Sequence, residues 1–118
     1  CFTSLGQLRY LSSLKYVDAM IGNSSSGFIE APSFKTATIN IGDRQKGRIM
    51  ASSIIDCDID KKSIINSFKK LYSKEFNNIL ESVNNPYGNG GASKKIKEII
   101  KDIPLNNIIK KSFFDIGI

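Results

Sequence analysis

The sequence predicts an α/β fold: a Rossmann-like parallel sheet with flanking helices. Three short segments rich in apolar and β-branched residues, 17–22, 36–42 and 53–57, alternate with segments of helical periodicity. Such alternation is typical of a parallel sheet whose faces are covered by helices. The 118 residues are enough for one domain with one core. Since a complete doubly wound sheet has about six strands, we expect this domain to be part of a longer protein.

The elements of the first half follow from residue spacing. In the first helix, Leu8, Leu11 and Leu14 are spaced to share one face. Pro32 falls within the next helical segment, where we expect it in a first turn because its missing N–H costs nothing there. The predicted elements are a helix over Leu5–Tyr16, a strand over Val17–Gly22, a short helix over Phe28–Phe34, a strand over Thr36–Gly42, a polar loop over Asp43–Met50 and a strand over Ser53–Cys57.

The second half is predicted to be mostly helical. Ile64, Phe68 and Leu71 recur at helical spacing, and the stripe that they begin continues through the following two turns. The predicted elements are a helix capped by Asp60 that runs to about Val83, a Gly-rich loop over Asn84–Ala92, C-terminal helices from about residue 93 that begin with a helix from a Ser93 cap through Lys101, and a short Ile108-Ile109 stretch.

The net charge of +6 is concentrated in the second half of the chain. Residues 1–59 hold six basic against five acidic side chains, and residues 60–118 hold eleven against six. The lysines of the second half alternate with isoleucine, phenylalanine and leucine at helical spacing. This pattern favours solvated helix faces over a polyanion-binding patch, so we expect no nucleic-acid partner.

Several kinds of site are disfavoured by composition. The chain has no histidine, which removes the commonest general base and the commonest zinc ligand. Cys1 and Cys57 have neither metal nor redox spacing, which predicts a reducing, cytoplasmic setting. No apolar run reaches the roughly 18 to 20 residues of a membrane span, and no leader pattern is visible at the first residues. We therefore expect no metal, no cofactor and no membrane partner.

The first candidate site is the segment Gly22-Asn23-Ser24-Ser25-Ser26-Gly27, between a predicted strand and a predicted helix. Backbone N–H groups at a helix start bind phosphate, and small residues let the anion approach. The segment also follows the carboxyl end of a strand, where ligands of open α/β sheets bind. The alternative interpretation, equally supported by spacing, is that the serines cap the helix and fill a turn.

Two further candidates lie on the same predicted edge. Glu30, one helical turn beyond the serines, could accept hydrogen bonds from both hydroxyls of a ribose. Alternatively, it is simply a first-turn glutamate that the helix dipole stabilises. Arg44 follows the second strand and could bind a phosphate through two hydrogen bonds, with Lys46 and Arg48 nearby, unless the loop is only a solvated one. Asn85–Gly90 is best explained as a surface loop. The residues alone predict a nucleotide-binding half-site without a general acid–base pair.

Four motifs resemble a known family in order and spacing. The resemblance runs from Leu5 to about Ile100 and is to the C-terminal part of UDP-N-acetylglucosamine 2-epimerases, in the hydrolysing form. The motifs that carry it are Ile21-Gly22-Asn23-Ser24-Ser25-Ser26-Gly27, Glu30-Ala31-Pro32-Ser33-Phe34, Asn40-Ile41-Gly42-Asp43-Arg44-Gln45-Lys46-Gly47-Arg48 and Asn85-Pro86-Tyr87-Gly88. One departure is Gly91, where relatives often carry a polar side chain, which puts any contact of that side chain in doubt.

The resemblance implies a glycosyltransferase-B-like enzyme, of which residues 1–118 would form the C-terminal part of the UDP-binding Rossmann-like domain. It implies that Ser24 and Ser25 contact the diphosphate, Glu30 the ribose, Arg44 the phosphate or sugar side, and the Leu5 backbone the uracil. The supporting residues would be Gly22, Asn23, Ser26, Gly27, Gln45, Lys46 and Arg48.

The resemblance also implies a reaction. UDP would be eliminated from UDP-N-acetylglucosamine or a related UDP-sugar, and water would add to the resulting 2-acetamidoglycal to give N-acetylmannosamine or its analogue for sialic or related nonulosonic acid synthesis. No catalytic residue would lie in this chain, which alone would be inactive and would need the N-terminal domain of a homo-oligomeric bacterial enzyme. The alternatives are the donor-nucleotide half of a glycosyltransferase and a basic module that binds polyanions.

Overall fold

The computed structural model describes residues 1–106, so the predicted Ile108-Ile109 stretch lies outside the described residues. The elements are α1 (Gly6–Ser13), β1 (Ala19–Gly22), α2 (Ser26–Ile29), a 3-10 turn (Ala31–Phe34), β2 (Ala37–Ile41), β3 (Ile54–Cys57), α3 (Lys61–Leu71), α4 (Lys74–Glu81) and α5 (Ala92–Asp102). The three predicted strands are confirmed, with helices before β1, between β1 and β2 and after β3, and a loop between β2 and β3.

The three strands form a parallel sheet in the order β1-β2-β3. The register places Gly22, Asn40 and Asp56 in one row across the sheet, at the carboxyl end of each strand. β2 is central and β1 forms one edge, with Ile21 half exposed. The Rossmann-like arrangement is therefore confirmed, with the predicted strand of residues 17–22 at one edge of the sheet as β1.

Each face of the sheet packs against helices. On one face, Ile39 and Ile55 pack in a buried cluster with Leu71 of α3 and Phe76 of α4. A second buried cluster contains Phe28 of α2 and Ile54 of β3, together with Ala51 and Val83. Ile39 of β2 thus meets apolar partners in one layer and Ile54 of β3 meets them in the other, so the sheet is covered on both faces.

The sheet and α2 approach each other closely at Gly27. The Thr38 hydroxyl of β2 donates a hydrogen bond of 3.1 Å to the Gly27 carbonyl oxygen. A Cβ atom at Gly27 would lie only 2.5 Å from the Thr38 methyl carbon, which no side chain could tolerate without movement. The absence of a side chain at Gly27 therefore fixes how near α2, and the serines before it, lie to the sheet.

Two predicted helices are each divided in the structure. The predicted helix over residues 60–83 is wrong as a single element, because Ser73 leaves helical geometry and its hydroxyl oxygen accepts from the Phe76 N–H at 3.2 Å, which starts α4. The apolar stripe continues across this break, so spacing alone did not reveal it. The predicted helix over residues 28–34 is α2 followed by the 3-10 turn, and Pro32 lies in the first turn of the latter, as predicted.

Three predictions concern the ends and faces of the other helices, of which the cap of α3 is confirmed, whereas the cap of α5 and the apolar face of α1 are not. Asp60 caps α3 as predicted, with one carboxylate oxygen accepting from the N–H groups of Lys62 and Ser63. The predicted Ser93 cap is wrong, because left-handed Gly91 precedes α5 and no side chain caps it. The apolar face predicted for α1 is not a buried one: Leu8 is 81% exposed, and Leu14, which is buried, follows the helix.

Candidate functional site

Three loops leave the sheet on the same side, at the carboxyl ends of the strands, because all three strands are parallel. This row of strand ends is called the carboxyl edge of the sheet. The serine loop (residues 23–25) follows β1, the basic loop (residues 42–50) follows β2, and residues 58–60 follow β3. Gly42 begins the basic loop with φ of 79°, a left-handed conformation that glycine adopts without strain. Ligands of open parallel sheets bind outside this edge, so the topology makes it the candidate site.

The serine loop contains backbone and hydroxyl donors that have no hydrogen-bond partner among the described residues. Within residues 1–106, the N–H groups of Ser24 and Ser25 donate no hydrogen bond, whereas the Gly27 N–H already bonds the Ser24 carbonyl at 3.2 Å. The Ser25 hydroxyl makes no capping bond to α2, and the Ser24 hydroxyl oxygen accepts from the Ser26 N–H at 3.3 Å. The Ser24 hydroxyl therefore takes part in a local turn, and Ser25 starts α2 through its carbonyl oxygen, which leaves the Ser25 hydroxyl without a partner among the described residues.

Glu30 belongs to a chain of hydrogen bonds that the sequence did not predict in full. The Ser26 hydroxyl donates to a Glu30 carboxylate oxygen, and the Tyr10 hydroxyl of α1 lies within hydrogen-bonding distance of the same Ser26 oxygen. Glu30 is half buried between the two short helical turns of this region. Tyr10 is the residue that sequence analysis missed, because only the tertiary contact of α1 with α2 reveals it.

The basic loop is tied to the serine loop through Asn23. The Gln45 side-chain amide donates to the Asn23 carbonyl at 2.7 Å, and Arg44 donates to the Asn23 side-chain oxygen at 3.4 Å. Gln45 is only 5% exposed, whereas Arg44 is exposed to solvent. The buried glutamine therefore holds the two loops together and leaves the arginine guanidinium at the surface beside the serines.

A cavity of about 740 Å³ opens at the carboxyl ends of β2 and β3. Its walls carry both signs of charge, since lysine and arginine of the basic loop face aspartates of the strand ends. The residues concerned are Asn40, Gln45, Lys46, Arg48, Asp56 and Asp58. The Asn40 amide donates to an Asp56 carboxylate oxygen at 2.7 Å, which anchors the floor of the cavity between neighbouring strands.

The predicted site residues fall into two adjoining groups. Ser24, Ser25, Glu30 and Arg44 lie around the serine loop and do not line the cavity, whereas Gln45, Lys46 and Arg48 do. Leu5 precedes α1, five residues before Tyr10, and is 37% exposed. Among the residues that the structure describes, no group of three or more metal-ligating side chains occurs, and no helix is long and apolar enough to cross a membrane.

The loop over residues 85–90 contacts the C-terminal end of α2 and the 3-10 turn that follows it. The Asn85 side-chain amide donates to the Ile29 carbonyl oxygen and to the Ser33 hydroxyl oxygen, both at 2.7 Å. These bonds satisfy one acceptor at the end of α2, just before Glu30, and one in the 3-10 turn after it. Asn85 therefore supports the segment that carries Glu30, which is more than the plain surface loop predicted from the sequence.

The sequence profile of the family described as UDP-N-acetylglucosamine 2-epimerase matches residues 1–101. The chain belongs to this family. It is 49% identical over 116 residues to a GDP/UDP-N,N'-diacetylbacillosamine 2-epimerase (hydrolyzing) of Campylobacter jejuni, an alignment that covers 98% of this chain and 30% of the relative. It is 45% identical over 108 residues to the polysialic acid biosynthesis protein P7 of Escherichia coli, covering 91% and 28% of the two chains.

A further relative is more distant. The UDP-N,N'-diacetylbacillosamine 2-epimerase (hydrolyzing) of Legionella pneumophila is 34% identical over 100 residues, covering 85% of this chain and 26% of the relative. The chain thus spans less than a third of the length of these three curated relatives. The family match over residues 1–101 confirms the resemblance found in the motifs, and with it the glycosyltransferase-B-like α/β fold.

Proposed function

We propose that this chain is the UDP-binding part of a hydrolysing UDP-N-acetylglucosamine 2-epimerase. The observation that carries the proposal is the bond between Gln45 and Asn23, which brings a serine loop and an arginine loop together outside one sheet edge. Free N–H groups, hydroxyls and a guanidinium at that edge are the donors that a diphosphate requires. The choice of nucleotide is supported by the names of two relatives: the Legionella protein is a 2-epimerase of a UDP-sugar, and the Campylobacter protein is one of a GDP- or UDP-sugar.

In this proposal each group has one role. The N–H groups and hydroxyls of Ser24 and Ser25 bind the diphosphate, and Arg44 turns from Asn23 to a phosphate oxygen or to the sugar side. Glu30 accepts hydrogen bonds from the ribose hydroxyls, and the Leu5 backbone lies along the uracil. The exposure of Arg44 and its long 3.4 Å bond to Asn23 support this, since a side chain held so weakly is free to take a charged partner.

The cavity beside the basic loop is proposed to receive the sugar end of the substrate. It adjoins Gln45, which also touches the serine loop, so a UDP bound at the serines would point its sugar toward Lys46 and Arg48. Lysine, arginine and aspartate on the cavity walls are donors and acceptors suited to hydroxyl and acylamino groups. The volume of about 740 Å³ is in the range of small-molecule sites.

The reaction would need groups beyond this chain. Elimination of UDP across the C1–C2 bond and addition of water to the 2-acetamidoglycal both move protons, and the chain has no histidine to move them. We propose that the rest of a longer enzyme supplies these acids and bases, so that residues 1–118 alone are inactive. The two free thiols support a cytoplasmic location, and the product would feed synthesis of sialic or related nonulosonic acids.

Replacing Arg44 by alanine is expected to weaken UDP binding by about 10- to 100-fold, the range expected when a hydrogen bond to a charged group is lost. Calorimetric titration of UDP into the 118-residue chain measures this change. The matched control is Lys97→Ala on α5, which removes an exposed positive charge at another place and should leave the affinity unchanged. Equal weakening by both variants would instead indicate a general polyanion surface and would contradict the proposed site.

A further inference from the structure

Tyr10 has a contact that none of the roles above explains. It lies on α1, a helix without a buried residue, yet its hydroxyl reaches the Ser26 hydroxyl on α2. The Tyr10 hydroxyl oxygen also lies 3.1 Å from the sulfur of Met20 in β1. Tyr10 is half buried, so its ring is held between α1 and the sheet edge rather than free in solvent.

The chemistry of the three groups fixes the direction of the hydrogen bonds. A carboxylate only accepts, so the single Ser26 hydroxyl proton is donated to Glu30. The Ser26 oxygen must then accept from Tyr10, whose one proton is directed to Ser26 and not to the weaker acceptor sulfur of Met20. The result is an ordered relay from Tyr10 to Ser26 to Glu30.

This relay leaves Glu30 with capacity for a ligand. Ser26 uses one lone pair of one carboxylate oxygen, and within residues 1–106 the other oxygen accepts no hydrogen bond. To accept hydrogen bonds from two adjacent ribose hydroxyls, one with each oxygen, the plane of the carboxylate group must have a defined orientation. A Ser26 rotamer fixed by Tyr10 would hold that plane before the ligand arrives, which reduces the ordering cost of binding.

We propose that Tyr10 is a positioning residue that, through Ser26, orients the Glu30 carboxylate for the cis-diol of the nucleotide ribose. This inference rests on the proposed UDP site and adds to it the residue that makes the site selective for ribonucleotides. Tyr10 does not touch the nucleotide. Its effect is confined to the ribose and does not extend to the diphosphate.

The test compares UDP with 2'-deoxyuridine 5'-diphosphate by calorimetric titration. The unmodified chain is expected to bind UDP about tenfold or more tightly than the deoxy analogue, because the latter leaves the carboxylate one donor short. Tyr10→Phe should reduce this ratio to about threefold or less by weakening UDP more than the deoxy analogue, which has only one ribose hydroxyl to lose from Glu30. Ser26→Ala should do the same, and the double variant should add nothing further, since the residues act in series.

The controls separate this inference from the proposed function. Tyr16→Phe, at a tyrosine that is 87% exposed, should keep the full ratio, and Glu30→Gln should abolish it. If Tyr10→Phe keeps the ratio while Glu30→Gln loses it, Tyr10 is not a positioning residue although the UDP site stands. Equal weakening of both nucleotides by Tyr10→Phe would indicate a merely structural role and would also overturn the inference. If the unmodified chain does not bind UDP, or does not distinguish the two nucleotides, the proposed role of Glu30 fails and the role of Tyr10 with it.

Discussion

Phe76→Ala is expected to lower the free energy of unfolding by about 3–5 kcal/mol, the usual cost of emptying a buried phenylalanine site. Phe76 is 2% exposed and packs with Ile39, Ile55 and Leu71 between α4 and the sheet. Since domains of this size unfold with about 5–15 kcal/mol, the variant should lose a large share of its stability. Equilibrium unfolding in urea measures the change.

The same helix provides the control for this prediction. Ile79 is 40% exposed, so Ile79→Ala should cost much less than Phe76→Ala. Phe76→Leu, which keeps most of the buried volume, should fall between the two. If Phe76→Ala and Ile79→Ala had similar effects, α4 would not be anchored to the sheet as described.

Gly27→Ala is expected to cost toward the upper end of the about 1–3 kcal/mol that overpacking causes. The new Cβ atom would lie 2.5 Å from the Thr38 methyl carbon, and Thr38 is itself buried in the central strand. This sign is opposite to the one expected from helix propensity, by which alanine stabilises a helix relative to glycine. The sign of the change in unfolding free energy, measured in urea, therefore shows whether the contact with Thr38 or the helix propensity of alanine determines the effect of this substitution.

A second substitution tests the steric cause directly. Thr38→Ser removes the methyl carbon and keeps the hydroxyl that bonds the Gly27 carbonyl oxygen. The double variant should accordingly be more stable than Gly27→Ala alone. If Thr38→Ser made Gly27→Ala worse, the contact between α2 and β2 would have been assigned wrongly.

Much of the fold was predictable from the sequence because its signals are local. The β-branched run before Gly42 predicts β2, and the Asp60 carboxylate that caps α3 predicts where that helix begins. The break at Ser73 was not predictable, since Ser73 interrupts an apolar stripe that continues unchanged on either side of it. The exposure of Leu8 was not predictable either, because spacing shows that a face is apolar and not what covers it.

The candidate site was predictable at the level of loops but not of contacts. Parallel strands must deliver the serine loop and Arg44 to one edge, and that follows from element order alone. The contacts of Gln45 with Asn23 and of Tyr10 with Ser26 span 22 and 16 residues of sequence, respectively, and depend on how the loops pack. Sequence motifs therefore predicted which loops form the candidate site, whereas the contacts of Tyr10 and Asn85 with these segments became visible only in the tertiary structure.

The central claim is that UDP binds where the serine and basic loops meet. An NMR titration of the ¹⁵N-labelled chain with UDP, with ADP in parallel, tests it most directly. We predict that the largest amide shifts with UDP occur at Ser24, Ser25 and Arg44, and that ADP produces weaker changes at the same amides. Shifts centred on the lysines of α5, or the same response to both nucleotides, would contradict the account.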